Sequence, residues 1–68
     1  MTSEDRVIAA AVRLDRARSA VEETARAFRR DPTDATMLAL RAAQVERRAA
    51  RQEWLAAEKA ADCRKGTR

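Results

Sequence analysis

RRDPTDA, residues Arg29 to Ala35, holds the only proline of this 68-residue chain, and the reading of that stretch decides the fold. Asp31 precedes Pro32, whose ring disfavours helical angles in the residue before it, whereas Pro32 itself suits the first turn of a new helix. Asp31 or Thr33 can accept the free N–H groups there, and Asp34 complements the positive end of the helix dipole. Arg29 and Arg30 put positive charge where a helix stopping at this point carries its negative end. The stretch therefore reads as one helix ending and another beginning.

Composition on either side agrees. Seventeen alanines and a single glycine make the chain a strong helix former. A first helix is predicted over about residues 4–30, with Thr2 or Ser3 as cap and Glu4 and Asp5 in its first turn. A turn follows at about 31–33, then a second helix over about 33–64 and a short basic tail at 65–68, begun by Gly66. So short a connection favours antiparallel neighbours. The predicted class is all-α, an antiparallel two-helix hairpin forming one domain.

Apolar spacing supplies the seam. In the first helix Val7, Leu14, Val21 and Phe28 recur every seven residues, with Ala10, Ala17 and Thr24 between them. In the second, Leu38, Ala42, Val45, Ala49, Gln52, Ala56 and Cys63 keep the same alternation. Folding the hairpin on this basis sets Phe28 near Leu38, Val21 near Val45 and Leu14 near Gln52. A small chain with few large apolar side chains is poorly covered alone, so self-association is expected. A dimer of hairpins forming a four-helix bundle is the expected remedy.

The second helix carries more apolar surface than one neighbour needs. Ala39, Ala43, Ala50, Trp54, Ala57 and Ala61 form another strip, roughly 120–180° around from Val45. Alanine is also a good surface helix former, which is the bland explanation. The sharper one makes the strip a second helix–helix contact anchored by Trp54, since aromatic anchors dominate many interfaces. Ile8 and Val12 lie off the first helix's seam, at the level of Trp54 and Leu55, and extend the patch. The predicted protein interface is Trp54, Leu55, Ala50, Ala57, Ile8 and Val12.

The net charge of +4 is unevenly placed, with eight bases and four acids in residues 35–68. Arg41, Arg47, Arg48 and Arg51 have no carboxylate three or four residues away on their own helix, and they form one basic face suited to phosphate. Cross-helix pairing is the competing account: Asp15 comes level with Arg51, and Glu22 and Glu23 with Gln44 and Ala43. No accessible aromatic set for base stacking accompanies the arginines.

Catalysis finds no support. Histidine is absent, so the usual near-neutral acid–base group is missing, and Cys63 has nothing to activate it. Cys63 suits a small core or bundle-end position. No glycine-rich phosphate loop, metal-ligand cluster or cofactor motif is present, and no small-molecule substrate is implied. One cysteine, no signal-peptide pattern and no long apolar run point to a soluble, cytoplasmic protein without membrane contact.

In size and outline the predicted hairpin resembles the RNA-binding Rop-type four-helix bundles. That resemblance carries no motif, so no binding residue is transferred from it. The expected function is a small non-enzymatic helical interaction protein, an adaptor or regulator, binding a protein partner through the Ala/Trp face. Its size and its preference for arginine over lysine suit a phage or mobile-element product of a GC-rich host. The alternative is a Rop-like RNA- or DNA-binding regulator using Arg41, Arg47, Arg48 and Arg51.

Overall fold

The computed structural model describes the backbone of residues 3–66 and the side chains of 4–62. Helix α1 runs Ser3–Arg30 and helix α2 runs Asp34–Gly66, and the two pack against each other as a hairpin. The Cα atoms span 55 × 15 × 13 Å. Acids in the first turn of each helix, and Arg29 and Arg30 in the last turn of α1, match the dipoles. The segment predicted as a tail is helical through Gly66, whereas the side chain of Cys63 and residues 67–68 lie outside the described residues.

The turn is built by two threonines. Thr33 Oγ1 accepts the N–H of Thr36 at 3.2 Å, and Thr36 Oγ1 accepts the N–H of Thr33 at 3.0 Å. This is the reciprocal capping box, with Thr36 standing where glutamate is usual. The Thr36 hydroxyl donates in turn to the Asp31 carbonyl at 2.6 Å. Thr33 N–H also reaches the Asp31 carbonyl at 2.8 Å, closing a three-residue turn around Pro32. Thr33 is thus the cap, and Pro32 sits before it rather than in the first helical turn. Proline's fixed φ fits the centre of that turn, and no residue described there has positive φ, so the bend needs no glycine.

On α1 the seam follows the predicted stripe. Ala10, Leu14 and Ala17 are buried, flanked by half-buried Val7, Val21, Thr24 and Phe28. Thr24 can sit there because its hydroxyl donates back to the Ala20 carbonyl at 2.8 Å.

On α2 the seam is the other stripe. Ala43 and Ala50 are buried, Ala50 at 0 % exposure, and Leu14, Ala17 and Ala50 form a cluster with Trp54 packed against it. Met37, Leu40, Ala57 and Ala61 are half-buried along the same side. Leu38 and Val45 are 62 % and 63 % exposed, and Ala42, Ala49, Gln52 and Ala56 also face water. This corrects the predicted phase of α2: Leu14 meets Ala50 and Trp54, not Gln52. The physical reason is the size of what is buried. The inward stripe covers much of Trp54, Met37 and Leu40, whereas the heptad stripe offers Leu38 and Val45 and would bury the Gln52 amide.

Candidate functional site: an arginine-walled groove

The α2 phase leaves two flanks to the hairpin, and they differ in charge and shape. On one flank Arg13 reaches across from α1 and donates to Glu46 at 2.8 Å and to Glu53. Its guanidinium is held above the usual arginine pKa, first by the Glu46 hydrogen bond and then by the charge of Glu53. A shallow groove beside this clasp is lined by Arg6, Ala9, Ala10, Ala56, Ala57 and Ala60 with Glu53. Here Arg13 is satisfied within the chain.

The opposite flank is different. A groove between the helices is lined by Leu14 and Arg18 from α1 and by Arg47, Arg48, Arg51, Trp54 and Leu55 from α2. Leu14 belongs to the buried cluster and Trp54 packs on it, so these two form an apolar base that the seam itself holds in place. Leu55, 41 % exposed, extends that base toward water. Arginines stand on both walls. Among the described residues no carboxylate lies within ion-pair distance of Arg18, Arg47, Arg48 or Arg51. The cross-helix pairing of Asp15 with Arg51 that the sequence suggested is not formed.

The groove unites residues that the sequence reading put on separate surfaces. Trp54 and Leu55 come from the predicted protein interface, and Arg47, Arg48 and Arg51 from the predicted basic face. The rest of the interface is dispersed. Ala50 is sealed in the seam, and Ala57 is half-buried on the opposite flank. Ile8 is 61 % exposed, and Ile8 and Val12 project from the outer side of α1, about 160° around from the buried stripe. They are therefore not continuous with Trp54. Arg41 is exposed and does not line the groove.

Arg18 is the groove residue that sequence reasoning missed. It lies one turn beyond Leu14 on α1, a signal that becomes readable only once Trp54 is known to face Leu14. Among the described residues no group of acidic, cysteine or histidine side chains could hold a metal ion, and no helix is long and apolar enough to cross a membrane. Comparison with protein-family models, with curated proteins and with solved structures gives no match for this chain.

Proposed function

We propose that this chain is a small non-enzymatic interaction protein of the cytoplasm, an adaptor or regulator, whose groove takes an acidic, amphipathic segment of a protein partner. The observation that carries the proposal is four arginines around an apolar base that have no carboxylate partner among the described residues. A segment with leucine-like side chains on one face and carboxylates beside them matches this surface in both respects. Its apolar face covers Leu55 and the open part of Trp54 above the buried Leu14, while its acids meet guanidinium groups that pair readily with carboxylates.

A nucleic acid would use the same arginines, but it gains less from this groove. Base stacking needs an open aromatic face, and Trp54 is packed against the Leu14–Ala17–Ala50 cluster. The mixed character of the groove therefore favours the peptide.

Trp54 is the only tryptophan, and tyrosine is absent, so its intrinsic fluorescence reports directly on the groove. Three probes are titrated at low salt: an amphipathic peptide with a glutamate edge and a leucine face, a single-stranded oligonucleotide, and an RNA duplex. The peptide is expected to shift Trp54 emission and bind. Arg47→Glu combined with Arg51→Glu is expected to weaken that binding about tenfold or more. Binding of the oligonucleotide or duplex alone, lost steeply as salt rises, would replace the proposal with the nucleic-acid reading. No binding by any probe would remove the groove as a site.

A further inference from the structure

We infer that the solvent-facing stripe of α2, formed by Leu38, Ala42, Val45, Ala49, Gln52 and Ala56, docks a second copy of this chain with the two α2 helices parallel. The stripe keeps a strict alternation of four- and three-residue steps, the signature of a two-helix seam, yet in the hairpin it faces water. Leu38 and Val45 are the most exposed large apolar side chains among the described residues, at 62 % and 63 %. Lys59 takes the next position in the alternation and ends the stripe, which is about 27 Å long at 1.5 Å per residue. Alanines at alternate positions allow close approach of the helix axes.

Surface area indicates how much of the hairpin is left uncovered. The chain exposes 5558 Å². A compact folded monomer of its 7.6 kDa mass exposes about 4,300 Å² by the general scaling of surface with mass. The excess of roughly 1,300 Å² per chain is more than the ~800 Å² per partner that a stable interface removes. It arises because each helix of the rod has only one neighbour.

Charge selects the partner and its direction. Arg41 and Arg48 run along one edge of the stripe, and Glu46 and Glu53 along the other. Parallel helices set opposite edges side by side, which brings Arg41 to the second copy's Glu46 and Arg48 to its Glu53, each pair occurring twice by symmetry. Antiparallel helices set like edges together, arginine on arginine and glutamate on glutamate. Glu46 and Glu53 already accept from Arg13, and a carboxylate has acceptor sites enough for a second guanidinium. In the parallel register Gln52 meets its own copy, where paired amides fix the alignment. Arg48 borders both surfaces, while Trp54, Arg18, Arg47 and Arg51 stay outside this contact, so the groove keeps its tryptophan and three of its arginines when the dimer forms.

The test uses the full chain, with light scattering and equilibrium sedimentation across micromolar concentrations. The wild type is expected to form a particle of twice 7.6 kDa. Val45→Glu is expected to weaken self-association roughly a hundredfold while leaving helical circular dichroism and Trp54 emission unchanged, because its side chain lies outside the seam. Arg41→Glu with Arg48→Glu, and separately Glu46→Arg with Glu53→Arg, should each abolish self-association, and mixing the two variants should restore a one-to-one pair. In a Cys63→Ser background, Leu38→Cys should oxidise to a covalent dimer, since only the parallel register brings that position to its own copy. A monomeric wild type overturns the inference. So does a dimer that survives Val45→Glu, or one that Leu38→Cys fails to link.

Discussion

Ala49 and Ala50 are neighbours in sequence with opposite fates, and glutamate at each position separates the observed seam from the heptad seam. Ala50 is fully buried against Leu14 and Ala17, while Ala49 faces water. A glutamate at 50 adds a methylene and a carboxyl to a closed contact. Overpacking of that size costs about 1–3 kcal/mol. Holding the carboxylate away from water adds several kcal/mol more. The sum, on the order of 5 kcal/mol, is comparable with the whole stability expected of a chain this size, about 3–10 kcal/mol. Ala50→Glu should therefore be largely unfolded at room temperature. Ala49→Glu exchanges one helix former for another in water and should cost only a few tenths of a kcal/mol. The assay is far-UV circular dichroism in urea, at concentrations low enough that the midpoint no longer depends on concentration. If Ala49→Glu proves the more damaging of the two, the α2 phase described above is wrong.

Two further outcomes follow from the packing and the turn. Trp54→Ala should lower stability by about 2–3 kcal/mol because the indole packs on the core cluster, whereas Leu55→Ala should cost less than about 1 kcal/mol; urea titrations that rank them the other way would make Trp54 a surface anchor. Thr33→Ala removes the cap of α2 and should cost about 0.5–2 kcal/mol, read as a fall in melting temperature of several degrees.

Much of the fold is legible in the sequence because few residues decide it. Pro32 with its flanking charges marks the break, and alanine fixes the helical state on both sides. On α1 a single stripe holds Leu14, Val21 and Phe28, so its inward face is unambiguous. On α2 alanine is spread around the helix, and two stripes satisfy the spacing rule. Periodicity counts an alanine and a tryptophan alike, while burial weighs them by area, and Trp54 outweighs Val45. The groove was legible as parts and hidden as a whole, because bringing Arg18 beside Arg47, Arg51 and Trp54 needs the correct phase of α2. The Arg13 clasp was hidden for the same reason: Glu46 and Glu53 lie between the two α2 stripes, and only the observed phase turns them toward Arg13.

Arg13 spans two turns of the opposite helix, from Glu46 to Glu53. The track beneath it is made largely of alanines, with Ala10 and Ala17 on one side and Ala43 and Ala50 on the other. Methyl groups of equal size offer few steps to interlock, so along this stretch the resistance of shape to lengthwise sliding falls to Leu14 and Trp54. A shift of one helical turn, about 5.4 Å, would carry Arg13 past one of its two carboxylates. The clasp acts as a detent on a smooth rail, and salt, which screens exposed charges, is the solvent variable that loosens it.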